Sequence, residues 1–250
     1  MHEKKPDVGL FVTCLADAMR PNVAFAAVRL LEAAGANVHV PETQTCCGQP
    51  AFNSGAFRPA REIAEQVIDA FLPFDYVVAP SGSCAGMIKV HYAELFADAP
   101  DWALKQEEVA AKTFELTQFL HTVLGWRPSG VTLAGTAAYH DSCSGLRELG
   151  VKAEPRALLA EISGLALTPL VGEEACCGFG GTFCVKYPEI STAIVADKTR
   201  AIHASGADFL LAGDLGCLMN IAGKLSREGS PVRCFHVAEV LAGMAEGDGI

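Results

Sequence analysis

Eight of the ten cysteines in this 250-residue chain form one arrangement written twice: Cys14, Cys46-Cys47-Gly48 and Cys84, then Cys143, Cys176-Cys177-Gly178 and Cys217. The intervals run 32 and 37 positions in the first copy and 33 and 40 in the second. Any fold open to this chain has to gather each quartet. Inert buried cysteines explain single positions but not four matched ones in each half. Thiolate is a soft ligand that selects zinc, copper(I) or iron–sulfur clusters, so each half reads as a unit built around a place to hold metal.

The chain is long enough for one large domain or two of about 125 residues, and the duplication favours two fused halves. Half of the residues are hydrophobic and 19% are charged, a composition that supplies a packed core and excludes disorder. A net charge of −10, with no clustered Lys or Arg, argues against a nucleic-acid role. The lead-in, Met-His-Glu-Lys-Lys-Pro-Asp, runs directly into a short apolar stretch and lacks the pattern of an export signal. No run approaches the roughly 18 apolar residues of a membrane span. The expected location is the cytoplasm. A disulfide framework would need an oxidising compartment and usually a smaller chain.

Laying the halves over one another predicts matching elements. Strand-like runs at 8–13 and 136–141 lead to Cys14 and Cys143. Helical periodicity follows at 23–34 and 154–162, then second strands at 36–40 and 165–170 that deliver the chain to the Cys-Cys-Gly turns. Helices at 59–71 and 189–204 and strands at 76–79 and 209–212 complete the pattern, with Cys84 and Cys217 at the head of a further helix. Each half therefore reads βαβαβα. The predicted fold class is α/β: two pseudo-repeated Rossmann-like units with parallel sheets and right-handed crossovers. The cysteine sites fall at the strand C-terminal ends, where such sheets gather ligands. The predicted division is a first cysteine-rich domain over 1–97, a connecting amphipathic helix and linker over 98–130, and a second cysteine-rich domain over 131–250. Residues 231–245 read as one more strand and helix, and 246–250 as a frayed end.

Structural zinc usually takes two close Cys-x₂₋₄-Cys pairs, and ferredoxin clusters take tight Cys-x₂-Cys runs. Neither occurs here. Adjacent cysteines point in different directions, an awkward bite for one small ion and a workable one for a cluster of several irons. The glycine after each pair lets the backbone turn sharply beside a bulky ligand.

Further motifs sharpen this: Pro80-Ser-Gly-Ser-Cys-Ala-Gly86, Tyr139-His-Asp-Ser-Cys143, Cys176-Cys-Gly-Phe-Gly-Gly-Thr-Phe183, Val185-Lys-Tyr-Pro-Glu-Ile-Ser191 and Gly216-Cys-Leu-Met-Asn-Ile-Ala-Gly223. Over about residues 7 to 240 the chain resembles the lactate-utilisation protein A family. That family's tandem cysteine-rich "CCG" domains are shared with the B subunit of heterodisulfide reductase and the iron–sulfur subunit of glycolate oxidase. The resemblance implies an iron–sulfur subunit of a three-protein system oxidising L-lactate to pyruvate, with a ferredoxin-like iron–sulfur partner and a third lactate-utilisation subunit. It also implies ligands Cys14, Cys46, Cys47 and Cys84 for one site and Cys143, Cys176, Cys177 and Cys217 for the other, holding one or two clusters, [4Fe–4S] in type. One departure matters. The heterodisulfide reductase pattern ends each copy in Cys-x-x-Cys, whereas Ser81 and Asp214 stand here for the first cysteine of that pair. Disulfide reduction, which uses five thiolates on a noncubane cluster, therefore stands as an alternative, as does a zinc-bound assembly scaffold.

Ser81 is expected to cap a helix or make a turn, and Asp214 to cap a helix or offer a harder ligand. His140 and Asp141 suit either proton movement beside the second site or hydrogen bonding at a strand end. Cys184 and Cys234 read as packing residues, Cys184 also as a spare thiol. His39, His91, His121, His203 and His236 are scattered and read as ordinary surface or core histidines. Gly178-Phe-Gly-Gly181 lacks the strand–helix setting and acidic residue of a nucleotide fingerprint. Tyr187-Pro-Glu reads as a helix start with Pro in its first turn. With no flavin or nicotinamide fingerprint, the chain reads as a subunit of an oxidoreductase and not as a lone catalyst.

Overall fold

The computed structural model describes residues 4–250, so the first three residues of the lead-in lie outside the described residues. The eight strands are β1 Asp7–Leu10, β2 Asn37–His39, β3 Tyr76–Ala79, β4 Thr113–Glu115, β5 Thr132–His140, β6 Ser163–Leu167, β7 Phe209–Ala212 and β8 Arg233–His236. They form two all-parallel sheets in the orders β2-β1-β3-β4 and β6-β5-β7-β8. The α/β class and the internal repeat expected from the sequence are both present. Strand β7, Phe-Leu-Leu-Ala, is buried throughout, as befits a parallel strand covered by helices on both faces.

Register aligns the halves residue by residue. Val8 lies opposite Tyr76 and Leu10 opposite Val78 in the first sheet, while Ala137 lies opposite Phe209 and Tyr139 opposite Leu211 in the second. Helices Phe57–Phe71 and Pro188–Ser205 match in the same way. The first buries Ala60, Ala64, Val67, Ile68 and Phe71, and the second buries Ser191, Val195, Lys198, Thr199 and Ile202 at the same spacing.

The segment 98–130 differs from the connecting helix expected of it. Helix Pro100–Ala111 ends at Lys112, and Thr113-Phe-Glu115 then pairs with β3 as the fourth strand of the first sheet. This is the counterpart of β8. The segment's apolar residues serve two helices and a strand, so reading them on one helical period conceals the three residues that extend. The tail is also better ordered than expected: Gly249 bridges to Cys234, the Ile250 amide donates to the Cys234 carbonyl at 2.9 Å, and Arg20 donates to the Gly249 carbonyl at 2.7 Å.

The halves share one core. Val8, Leu10 and Val78 of the first sheet, Tyr139, Phe209, Leu211 and Phe235 of the second, and Leu116, Phe119 and Leu120 between them belong to a single buried cluster. Helix Val237–Leu241 of the second half lies on Pro21–Ala33 of the first. Reciprocally, the turns from Leu116 to Val123 lie on helix Ala153–Leu159. No helix among the described residues is long and apolar enough to cross a membrane.

Candidate metal centre

In both sheets the first strand lies between the second and third, so consecutive crossovers leave it in opposite directions. A crevice opens there at the carboxyl ends of the strands. Cys14 starts helix Cys14–Met19, whose cap Thr13 accepts from the Ala16 amide at 3.3 Å. Cys143 likewise starts helix Cys143–Arg147, and its cap Ser142 accepts from the Gly145 amide at 3.2 Å. Cys84 and Cys217 sit in the first turns of helices Gly82–Gly86 and Leu215–Arg227. The paired cysteines occupy the turns beyond β2 and β6. There Gly48 and Gly178 adopt φ of 82° and 84°, a left-handed conformation that a side chain resists. Tyr92 clamps the first turn by donating to the Cys47 carbonyl at 2.9 Å, and Asn220 clamps the second by donating to the Cys177 carbonyl at 2.8 Å.

All ten cysteines are free thiols. In the first quartet the Cys14 and Cys46 sulfurs are 3.8 Å apart, and Cys46, Cys47 and Cys84 lie close enough in succession to shift one another's ionisation. In the second, Cys177 is close enough to Cys176 and Cys217 to shift their ionisation, and Cys143 acts on Cys176 and Cys217 electrostatically. Backbone amides point at the sulfurs: Gly48 N–H at Cys46 (3.4 Å), Gly178 N–H at Cys176 (3.3 Å) and Phe179 N–H at Cys177 (3.5 Å).

The thiols resist ionising together. Hydrogen bonds from Cys14 and Cys47 push Cys46 down to about 3, while Cys14 and Cys47 are raised, chiefly by bonding to the Cys46 thiolate, for Cys47 also by Cys84, and then by burial. Hydrogen bonding to Cys177 raises Cys176, and burial adds to this. Cys177 gains some relief from its bond to Cys176, but its bond to Cys217 and its burial prevail, so it too is raised. A metal cation reverses this, since coordination requires thiolate and releases the protons. Thiols gathered at the strand ends of each half, with amides aimed at some of them, therefore suit a metal or cluster as well as each other.

Each quartet also has distinct neighbours. A cavity of about 220 Å³ lies on the seam, lined by Cys14, Cys46, Cys47 and Cys84 of the first half and by Phe179, Asp214 and Leu215 of the second. Beside the second quartet, His140 is buried, and a ring nitrogen and the sulfurs of Cys177 and Cys217 all lie within 4.8 Å of one another. Burial holds this imidazole down to about 3, and Lys198 adds to the effect.

Ser81 and Asp214 settle into roles that sequence described only in part. Ser81 caps its helix, its hydroxyl accepting from the Cys84 amide at 3.3 Å. Asp214 stands at the head of its own helix without capping it. Its carboxylate instead crosses to the first half, accepting from the Ser81 hydroxyl and the Ser83 amide, each at 3.0 Å. The two residues replacing the extra cysteines thus bond to each other. Gly82 has no room for a side chain here, because an added Cβ would lie 2.7 Å from the Gly145 Cα.

Asp141 is occupied by a two-pronged bond from Arg156, at 2.8 Å for each prong. Cys184 donates to the Gly181 carbonyl, and Cys234 lies in the core with its thiol pushed up to about 12 by burial. His39 and His203 face Asp7 and Glu228, and His236 caps helix Val237–Leu241 through Nδ1. Two groups escaped the sequence reading. Lys198 is buried with Nζ donating to the Gly172 and Glu173 carbonyls (2.6 and 3.2 Å). Glu115 at the end of β4 is raised to about 7 by burial. Matching Lys198 with Val67 across the repeat is the signal that would have exposed it.

Residues 8–89 and 137–222 match the cysteine-rich domain family CCG. Lactate utilization protein A of Shouchella clausii is 50% identical over 235 residues, covering 94% of this chain and 98% of that protein. The Bacillus subtilis protein of the same name is 48% identical over 234 residues, with the same coverage of both chains. The chain belongs to the lactate utilization protein A family. A hypothetical protein of Helicobacter pylori shares the fold, with a TM-score of 0.64 at 13% identity over 99% of this chain. The chain spans about half (52%) of that structure.

Proposed function

We propose that this protein is a cytoplasmic iron–sulfur subunit of a multi-protein system that oxidises L-lactate to pyruvate. In this reading Cys14, Cys46, Cys47 and Cys84 hold one centre and Cys143, Cys176, Cys177 and Cys217 the other. The partners are a ferredoxin-like iron–sulfur subunit and a third lactate-utilisation subunit. What carries the proposal is the coincidence of two sulfur quartets at equivalent strand ends with identity to lactate utilization protein A along almost the whole chain. A bound [4Fe–4S] cluster would supply one-electron storage. The chain's residues do the rest: cysteines hold, the Gly48, Gly178 and Phe179 amides stabilise negative charge on sulfur, and burial of Cys47, Cys84, Cys177 and Cys217 keeps water from the inner faces.

The decisive experiment is anaerobic purification with iron and acid-labile sulfide assays, paired with growth on L-lactate of strains carrying cysteine substitutions. Iron and sulfide at about four to eight irons per chain support the proposal. A colourless protein, or unimpaired growth when either quartet is broken, defeats it, and zinc without sulfide would favour an assembly scaffold. Disulfide reduction on five thiolates is disfavoured by one observation: the fifth positions carry Ser81 and Asp214, already committed to each other.

A further inference from the structure

The strand registers that align the halves, carried on by one residue, place His140 where the first half has Phe11. Phe11 is wholly buried with its ring 5.5 Å from that of Phe71, so hydrocarbon lines the first site at this point. His140 is equally buried, at 1% exposure. Neither of its ring nitrogens makes a well-aligned hydrogen bond among the described residues, although the Glu173 backbone stands near enough to act on the ring. A buried imidazole left unpaired is costly, and such groups normally find partners. This one points instead at Cys177 and Cys217, within 4.8 Å of both sulfurs. A neutral imidazole beside two thiols adds a nitrogen donor to the sulfur donors available to a metal centre there.

We propose that His140 is a nitrogen ligand of the second centre, which is then held by imidazole and thiolate together while the first is held by thiolate alone. The proposal rests on the iron–sulfur reading above. Five donors exceed by one the needs of a cube with one protein ligand per iron, so His140 would stand in for one thiolate, with the exposed Cys143 and Cys176 the two candidates to give way. Exchanging an anionic thiolate for a neutral imidazole removes negative charge and favours the reduced state, as in clusters where histidine replaces cysteine. Lys198, standing where the first half has Val67, works in the same direction by bringing an ammonium near the same sulfurs. The second centre should accordingly take up an electron at higher potential than the first.

The test is pulsed EPR on anaerobically purified, reduced protein carrying ¹⁵N only in histidine. One centre should show the strong coupling of a directly bonded ¹⁵N. His140→Phe, which copies the first half, should abolish that coupling and leave the other centre's signal intact. Should His140→Phe fold poorly, His140→Cys offers a sulfur in the same place; it should keep the iron, lose the nitrogen coupling and lower that centre's midpoint potential. Iron and sulfide without a bonded ¹⁵N, or a coupling that survives both substitutions, would overturn the assignment of His140 alone. A preparation without iron and sulfide would overturn the cluster reading beneath it.

Discussion

The two halves share sheet order, register and cysteine placement, yet they line their sites with different chemistry. Around the first quartet, Phe11 and Val67 occupy positions given to His140 and Lys198 around the second. The first quartet faces a seam cavity to which the second half contributes Phe179, Asp214 and Leu215. Repetition has preserved the means of gathering sulfur and changed what surrounds it. Two metal centres held in such different dielectric and charge environments would differ in potential, a property that the proposed electron-carrying role would use.

The strongest way to break the comparison is to remove one centre at a time. Cys47→Ser and Cys177→Ser replace the buried thiols at equivalent positions, and each should cost about half of the bound iron and sulfide if each quartet holds its own cluster. Iron analysis with EPR distinguishes this from a shared centre, for which either substitution would remove everything. Both variants should lose growth on L-lactate.

Next in size is the seam itself. Asp214→Ala leaves the Ser81 hydroxyl and the Ser83 amide without their common acceptor, and two charge-assisted bonds lost in a buried place should destabilise the fold by roughly 3–4 kcal/mol. Ser81→Ala removes one of those donors and a helix cap, for about 1–2 kcal/mol. Chemical denaturation of both variants measures the difference. Equal losses would mean that Asp214 does not join the halves.

Much of this architecture was legible beforehand. The third strands, 76–79 and 209–212, were read at the bounds they adopt, because short buried parallel strands appear as apolar runs between turn residues. The Cys-Cys-Gly turns announced themselves by composition. Strand β4 did not: three residues between two helices have no period of their own, and Phe114 and Leu116 were absorbed into a helical one. The ordered tail was hidden because glycines suggest fraying, whereas Gly249 packs against the Cys234 backbone. Lys198 carries no signal of its own in the sequence, since a lone lysine says nothing of burial. The Ser81–Asp214 bond spans 133 positions, and only the packing of one half on the other brings its ends together.

A third difference lies where the fourth strands end. Glu115 and His236 hold equivalent places, each capping the helix that follows, but their linkages to pH run in opposite senses. Burial raises Glu115 from 4.5 to about 7, so its contribution is complete below pH 4.5 and is lost as pH rises through 7. Burial lowers His236 from 6.5 to about 4, so its contribution is complete above pH 6.5 and is lost as pH falls through 4. Between pH 4.5 and 6.5 the two largely cancel. Glu115→Gln, which keeps an oxygen for the Thr117 and Gln118 amides, should remove the alkaline-side loss and leave stability rising with pH by on the order of 2–3 kcal/mol. His236→Gln should do the reverse. Urea titrations at pH 4.5, 5.5 and 7.5 would show whether the two slopes separate as these signs require.

The smallest expected effect asks whether the halves remain equivalent where their sequences nearly agree. Thr13 and Ser142 cap the helices that begin at Cys14 and Cys143, each accepting from the amide three residues on. Thr13→Ala and Ser142→Ala should each cost about 1 kcal/mol. Because each cap fixes the first turn that carries a proposed ligand, its loss should also loosen its own centre and leave the other untouched. Rates of iron release to a chelator, followed by EPR so that the centres are resolved, measure this directly. Faster loss from the first centre with Thr13→Ala and from the second with Ser142→Ala would show that the halves hold metal independently. Accelerated loss from both centres in either variant would mean that the shared core transmits the change, and the two sites would then have to be treated as one unit.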